Sequence, residues 1–403
     1  MNDTLQRLMQ EAARLTRSGQ LTEATEAIQR ALRGTGQPPA APAAPAAPVA
    51  PTASPTANRR SDAASLVLDG CVFEVETPVS QPSPSPAPVR PEPPMPRETA
   101  SGPGAFSWGS HAHASITRRY KLYVPPNTVG TSLPPLVVML HGCTQDADDF
   151  AAGTDMNERA RAQGFVVLYP EQSRDANPSR CWNWFKHNHQ RRSSGEPGLI
   201  ASLTRTIIAE HGIDPQRIYV AGLSAGGAMA AIVAAVYPDI FAAAGVHSGL
   251  PCGAASSVPE ALAVMSTGAP GGRATKTARA PAMPTPPGTA VPTIVFHGDQ
   301  DRTVHPRNGE QLVKAALAGQ SLVATDSTAA RVEQGRSAHG QRYTRSIHRD
   351  DSGATAAEHW LLHGAGHAWS GGRTEGSYTD ASGTDASGEM LRFFFEHPHR
   401  GSR

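Results

Sequence analysis

A serine between two glycines is the group in this chain best suited to nucleophilic chemistry. Segment 222–226 reads Gly-Leu-Ser-Ala-Gly; the β-branched run 217–221 precedes it and the Ala-rich run 227–237 follows. A strand, a sharp turn and a helix are therefore predicted, with Ser224 exposed on the turn as a nucleophile. The glycines favour this turn because a Cβ at either position would obstruct the close approach of strand and helix. The same short pattern also occurs at ordinary strand-to-helix turns, so the flanking segments support the interpretation.

A serine nucleophile requires a carboxylate that orients its base, and two candidates lie close together. The apolar run 293–296 predicts a buried strand, and Asp299 and Asp301 follow it. Side chains just past the carboxyl end of such a strand lie where sites form in open α/β sheets. Asp301 is the predicted acid. Asp299 is the alternative, since capping a turn is a common role for Asp in such a loop.

The base is expected after the last predicted strand, 358–362, where a glycine-rich loop contains His363 and His367. Most of the chain's 16 histidines must have other roles, so position decides between candidates. We predict His367, because glycine lies on its N-terminal side and an aromatic residue follows. His363 is the alternative.

Two backbone N–H groups are expected to bind the oxyanion of the tetrahedral intermediate. One belongs to Ala225, directly after the nucleophile, and the other to the loop 141–145 after the predicted strand 136–140. Cys143 or Thr144 is the predicted second donor. Each such donor stabilises the intermediate by roughly 3 kcal/mol. The thiol of Cys143 is expected to be a buried thiol or a half-cystine rather than a nucleophile.

Three aromatic residues fall within five positions of an otherwise polar loop: Trp182, Trp184 and Phe185. Loops on a rigid sheet commonly display such rings in a binding cleft, so we predict that Trp182 and Trp184 contact substrate. The alternative is a small satellite core beneath a long loop.

The elements that position these groups alternate between strands and helices, which predicts an α/β layered sheet over residues 104–398. Continuous apolar strands such as 135–140 are typical of a mostly parallel sheet with helices on both faces. Segment 268–287 is expected to be a Pro/Ala-rich surface insertion. The remaining elements are predicted strands at 115–125, 165–169 and 241–247, and helices at 148–163, 199–211, 259–265, 308–317 and 388–395.

The first quarter of the chain has a different composition. Residues 1–33 predict a short helical hairpin that docks on the body, pairs with another chain or binds a partner; a weakly structured leader is the alternative. Residues 34–103 are rich in Pro, Ala and Ser, which predicts a largely disordered linker, although 65–73 is compatible with a short strand or hairpin.

Charge and composition exclude several classes of partner. The formal net charge is +1, so no nucleic acid partner is expected. No apolar run approaches the roughly 20 residues of a transmembrane helix. Segment 1–29 is charged throughout and lacks the apolar core of a secretory signal, which predicts a cytoplasmic location. The four cysteines show no metal-binding spacing, so no structural metal site is expected. A serine nucleophile with its base and acid requires no metal or organic cofactor, so none is expected.

Six segments together carry a family resemblance. They are Leu-His-Gly-Cys-Thr-Gln at 140–145, Cys-Trp-Asn-Trp-Phe at 181–185, Gly-Glu-Pro at 195–197, Gly-Leu-Ser-Ala-Gly-Gly-Ala-Met at 222–229, His-Gly-x2-Asp-x2-Val at 297–304 and Gly-His-Ala-Trp at 366–369. This set resembles the polyhydroxybutyrate depolymerase-type esterase family of α/β-hydrolases. The resemblance implies a carboxylic ester hydrolase with Ser224, Asp301 and His367 as its triad, acting on poly(3-hydroxyalkanoate) or related short-chain esters. Feruloyl and acetylxylan esterases are similar to the same family, and its members are often extracellular.

The resemblance matches both Cys143 and Cys181, and both segments are expected at the carboxyl edge of the sheet. We therefore predict that they lie close enough to form a disulfide. A reducing cytoplasm would instead keep both as thiols.

Two other functional classes remain open. A peptidase of the same fold would need a defined pocket for its substrate side chain. A scaffold or granule-binding protein would act through the helical leader and linkers, with the hydrolase body incidental.

Overall fold

The computed structural model describes residues 66–68, 71–73, 104–126, 133–268, 290–318 and 330–399. The chain divides into two compact units, residues 1–81 and 82–403. In the first, β1 (Leu66–Leu68) pairs antiparallel with β2 (Cys71–Phe73), which agrees with the predicted hairpin. The predicted helical leader 1–33, most of the linker 34–103 and nearly all of the insertion 268–287 lie outside the described residues.

The second unit is built on a ten-stranded sheet in the order β10-β11-β12-β9-β8-β7-β5-β6-β4-β3. Its six central strands, from β12 to β6, run parallel, and each edge adds two antiparallel strands. The strands are β3 (Ala105–His113), β4 (Ile116–Val124), β5 (Leu136–Leu140), β6 (Val166–Pro170), β7 (Ile218–Leu223), β8 (Ala243–His247), β9 (Thr293–Gly298), β10 (Arg331–Arg336), β11 (Arg342–Arg349) and β12 (Thr355–Leu362). Two further short strands, β13 (Trp369–Ser370) and β14 (Thr379–Asp380), pair parallel.

Helices cover both faces of this sheet. They are α1 (Ala147–Thr154), α2 (Met156–Gln163), α3 (Gly195–His211), α4 (Ala225–Val236), α5 (Val258–Thr267), α6 (Arg307–Ala318) and α7 (Ala386–Glu396). The single helix predicted over 148–163 is wrong, because Asp155 has a φ of 56° and separates α1 from α2. Among the described residues, no helix combines the length and apolar character needed to cross a membrane.

Successive side chains of the central strands pack into two different cores, as the two-residue period of a strand requires. Val138 on β5 belongs to a core that also contains residues of α3, α4 and α5, whereas its neighbour Val137 belongs to a core that contains residues of α1, α2 and α7. Both side chains are fully buried. The predicted α/β-hydrolase architecture, a mostly parallel sheet with helices on both faces, is therefore confirmed.

The sequence did not predict β3, β10 or β11. These strands lie at or next to an edge of the sheet, where solvent reaches the side chains and an apolar pattern is not required. In β10, of sequence Arg-Val-Glu-Gln-Gly-Arg, four of the six residues are exposed. Their hydrogen bonds to neighbouring strands, rather than a local hydrophobic pattern, define them.

Candidate active site

Ser224 lies on the turn between β7 and α4, with φ of 56° and ψ of −120°. Such a left-handed value is uncommon for a residue other than glycine and marks local backbone strain. The backbone N–H of Ser224 donates to the carbonyl of His247 on the neighbouring strand at 2.9 Å. A Cβ on Gly226 would collide with the carbonyl oxygen of Leu140, and one on Gly222 would collide with the backbone of Gly226. The predicted turn thus depends on both glycines and leaves Ser224 partly exposed.

Asp301 and His367 are brought together by adjacent parallel strands. Asp301 follows β9 and His367 follows β12, so the carboxyl ends of these strands meet at one edge of the sheet. Nδ1 of His367 lies 2.7 Å from Oδ2 of Asp301, whose side chain is fully buried. Oδ1 of Asp301 accepts the backbone N–H groups of Thr303 at 2.9 Å and Val304 at 2.8 Å.

Burial alone would raise the pKa of the Asp301 carboxyl. Contacts with His297 and His367, and the backbone N–H of Val304, outweigh that effect and hold its pKa well below the ordinary value. The group is therefore a carboxylate at neutral pH and is suited to orient His367.

His297 contacts the same carboxylate, and although it lies in the matching segment 297–304, it was assigned no role from the sequence. The imidazole is fully buried, and its Nε2 lies 2.8 Å from the Val304 carbonyl and 3.5 Å from Oδ2 of Asp301. It therefore anchors the turn whose N–H groups bind Asp301. Its position at the end of β9, four residues before Asp301, is the signal that could have found it.

The alternative residues Asp299 and His363 form a second pair next to the first. Oδ2 of Asp299 lies 2.9 Å from Nδ1 of His363, and Oδ1 accepts the Gly364 N–H at 2.7 Å. The other ring nitrogen of His363 lies 2.8 Å from Oγ1 of Thr344. Both ring nitrogens of His363 are therefore occupied, whereas within the described part of the chain Nε2 of His367 makes no such bond. The geometry favours the pair of Asp301 and His367 as acid and base.

The loop 141–145 lies beside Ser224, since a Cβ on Gly142 would be 3.7 Å from the Ser224 Cβ. The N–H of Thr144 donates to the Ser179 carbonyl at 2.7 Å, so it is not available to bind an oxyanion. The prediction of Thr144 as a donor is therefore wrong. The N–H of Cys143 has no such acceptor among the described residues. Ala225 is the first residue of α4, where an N–H has no partner within the helix.

A disulfide joins Cys143 to Cys181, as predicted. It links the loop 141–145 to the aromatic loop 181–185. The only other cysteine whose state is described, Cys252, is free and exposed.

Trp182 and Trp184 do not line an exposed cleft. Their relative exposures are 0% and 5%, and both belong to the core that covers one face of the sheet. Nε1 of Trp182 donates to the His141 carbonyl at 3.1 Å. Their burial contradicts the prediction that these rings contact substrate. It agrees with the alternative, in which the two rings form part of a core beneath the loop.

His247 is a further buried group near the candidate site. Its Nε2 accepts the Ser370 N–H at 3.0 Å, and its ring stacks on those of Phe296 and Trp369. Burial lowers the pKa of His247 to about 3, so the imidazole is neutral at neutral pH. It therefore adds no positive charge beside the base.

Comparison with known proteins finds esterases that are similar to this chain. A 38% identical match over 181 residues to poly(3-hydroxyalkanoate) depolymerase C of Paucimonas lemoignei covers 45% of this chain and 44% of that protein, less than half of each. A probable acetylxylan esterase A of Aspergillus flavus is 31% identical over 220 residues, covering 51% of this chain and 69% of that protein.

The structure of an acetyl xylan esterase from Aspergillus awamori shares the fold, with a TM-score of 0.52 at 19% identity, covering 72% of this chain and 99% of that one. The model of the family described as Esterase PHB depolymerase matches residues 118–340, which include Ser224 and Asp301 and end before His367. Since that match spans more than half of the sequence, the chain belongs to the PHB depolymerase family of esterases.

Proposed function

We propose that this chain is a serine hydrolase of carboxylic esters, with Ser224 as nucleophile, His367 as general base and Asp301 as the group that orients the base. The main support is the 2.7 Å contact between His367 Nδ1 and the buried carboxylate of Asp301, together with the strained turn that carries Ser224. This contact leaves Nε2 of His367 for the serine proton.

In this mechanism His367 takes the proton of Ser224 as Oγ attacks the ester carbonyl. The resulting oxyanion accepts hydrogen bonds from the backbone N–H groups of Ala225 and Cys143. His367 then gives the proton to the departing alcohol, and a water molecule activated by the same base hydrolyses the acyl-enzyme.

The proposed substrates are poly(3-hydroxyalkanoate) or related short-chain esters, in line with the name of the Paucimonas relative. Acetylxylan esters are the alternative, in line with the name of the Aspergillus flavus relative, and feruloyl esters are a further alternative that the sequence resemblance implies. Release of 3-hydroxybutyrate from amorphous polymer, compared with release of acetate or ferulate from xylan esters, distinguishes the two. A peptidase would hydrolyse peptide substrates faster than either, and a scaffold protein would hydrolyse none.

The nucleophile is tested with p-nitrophenyl butyrate. Ser224→Ala and His367→Ala should each reduce kcat to near background, and the double variant should lose little more, because triad members act as a unit. More than a few per cent of residual activity in Ser224→Ala would exclude this serine as the nucleophile.

The neighbouring pair provides matched controls. Asp299→Asn and His363→Ala remove one member of an equivalent contact, but not the one proposed to act on Ser224. We expect Asp301→Asn to reduce kcat far more than Asp299→Asn. The reverse ranking would transfer the orienting role to Asp299.

A further inference from the structure

Glu196 is a buried carboxylate that the mechanism above does not use. Its side chain, in the first turn of α3, is fully inaccessible to solvent. No lysine or arginine in the described part of the chain pairs with it; its nearest ionisable neighbour is Nδ1 of His189 at 3.3 Å. Because burying a carboxylate is unfavourable unless it is well hydrogen-bonded, the groups around Glu196 require an explanation.

Three N–H groups from two loops converge on this carboxylate. Asn183 donates its backbone N–H and its Nδ2, both at 2.7 Å, and Nε2 of Gln172 donates at 2.5 Å. Burial favours a higher pKa for Glu196, but the contacts with His189, Gln172 and Asn183 outweigh it and lower the pKa. Glu196 is therefore charged and tightly bound to both loops.

From Gln172 the contacts continue to the proposed oxyanion site. The backbone N–H of Gln172 donates to Nε2 of His141 at 3.1 Å. Since Nε2 is an acceptor there, the proton of the neutral ring is on Nδ1, which donates to the Gly142 carbonyl at 2.7 Å. Burial lowers the pKa of His141 to about 4, so this arrangement persists at neutral pH.

The Gly142 carbonyl and the Cys143 N–H belong to the same peptide unit. That unit is planar and trans, so the two groups point in opposite directions. A hydrogen bond that fixes the Gly142 carbonyl therefore also fixes the direction of the Cys143 N–H. The other contacts of the loop, from Gly142 N–H to Gln145 Oε1 at 2.9 Å and from Thr144 N–H to Ser179 at 2.7 Å, hold its backbone on either side.

We infer that Glu196 is a positioning residue for the oxyanion site: through Gln172 and His141 it aims the Cys143 N–H at the reacting carbonyl. The inference rests on the proposed function. Three segments would then act together to position the Cys143 N–H: the loop 141–145, the loop 181–185 and the Gly-Glu-Pro turn 195–197. Asn183 lies two residues from the half-cystine Cys181, whose carbonyl also accepts from Gln172 Nε2 at 3.0 Å.

The test uses Glu196→Gln in the full-length protein. The amide keeps the side-chain volume but presents a donor to groups that are themselves donors. Loss of a complete oxyanion donor reduces kcat by roughly 100- to 1000-fold, so a misdirected one should reduce kcat by roughly 10- to 100-fold. KM for p-nitrophenyl butyrate should change less than about threefold, because the oxyanion forms only after binding.

A boronic acid that forms a tetrahedral adduct with the serine provides the readout that a purely structural role would not change. Its Ki should rise in parallel with the loss of kcat. Glu358→Gln is the matched control, since Glu358 is 1% exposed and is held instead by Arg345 and Arg392. This control should lower the melting temperature but leave kcat and Ki unchanged.

Gln172→Met breaks the contact with Glu196 while keeping the backbone N–H to His141, and carries the test if Glu196→Gln does not fold. A folded variant with kcat within twofold of wild type, or with reduced kcat and unchanged Ki, would overturn the inference. The wild-type protein and Ser224→Ala are assayed alongside. Activity that survives in Ser224→Ala refutes the proposed function, whereas a serine-dependent enzyme indifferent to Glu196→Gln refutes only the positioning role.

Discussion

Removal of the disulfide should destabilise the protein mainly through its unfolded state. The bridge between Cys143 and Cys181 spans a sequence separation of 38 residues. In the chain-entropy description, a closed loop of this size raises the free energy of the unfolded chain by about 4 kcal/mol. We therefore expect the double variant Cys143→Ser/Cys181→Ser to lose about 3–4 kcal/mol of unfolding free energy.

The folded state should change less, because other contacts join the same two segments. The N–H of Thr144 donates to the Ser179 carbonyl at 2.7 Å, and Arg180 pairs with Asp146 at 3.0 Å. Both loops should remain in place without the sulfur bond, and the double variant should keep measurable esterase activity.

Guanidinium unfolding followed by tryptophan fluorescence measures this loss, since Trp182 and Trp184 are buried next to the bridge. Cys252→Ser is the control, because that thiol is free and exposed; its effect should stay within about 0.5 kcal/mol. Equal stability of the double variant and the wild type would refute the reasoning. Thiol counting on protein alkylated at lysis and then denatured is an independent check: four free thiols would mean that the bond does not form in the cell.

Three further perturbations test other parts of the structure. Gly226→Ala should prevent correct folding of the serine turn, while Gly366→Ala, where a Cβ meets no atom within 4 Å, should leave the melting temperature nearly unchanged; thermal unfolding compares the two. The pKa values of His141 and His247, lowered by burial to about 4 and about 3, lie below the ordinary unfolded value of about 6.5. Each should therefore contribute stability above pH 6.5 that is lost as the pH falls, on the order of 2 kcal/mol between pH 7 and 5; a flat profile of unfolding free energy would contradict this. His297→Leu should reduce kcat by roughly tenfold, since the turn that binds the orienting carboxylate loses its anchor; unchanged steady-state kinetics would exclude that support.

The parts of the fold predicted from the sequence are those with strong local signals. Several central strands are largely apolar, and all five residues of Leu136–Leu140 are buried, so these strands could be located from the sequence. The turn at Ser224 was predictable because the backbone there leaves no room for a Cβ at positions 222 and 226, and both positions are glycine. Asp301 and His367 could be proposed as partners because each follows a parallel strand.

The parts that could not be predicted depend on contacts between distant segments. Cys143 and Thr144 are adjacent in sequence and equally plausible as donors until the Ser179 carbonyl is seen to occupy the N–H of Thr144. Trp182 and Trp184 lie in a polar loop, and only the structure shows that they are buried in a core shared with residues of α3 and α4. The burial of Glu196 could likewise not be predicted from the sequence, because its neighbours in the chain are Gly, Pro and Ser.

The choice between the two histidines after β12 illustrates this limit. His363 and His367 each bind a carboxylate, at 2.9 Å and 2.7 Å, so the partner that a sequence can suggest does not separate them. What separates them is the second ring nitrogen, which in His363 is occupied by Thr344. Thr344 belongs to β11, a polar strand that the sequence did not predict. Thr344 lies on a strand that takes no part in the proposed reaction, yet its contact distinguishes the two histidines. Because Thr344 contacts His363 and not the proposed base, Thr344→Val should leave kcat for p-nitrophenyl butyrate unchanged.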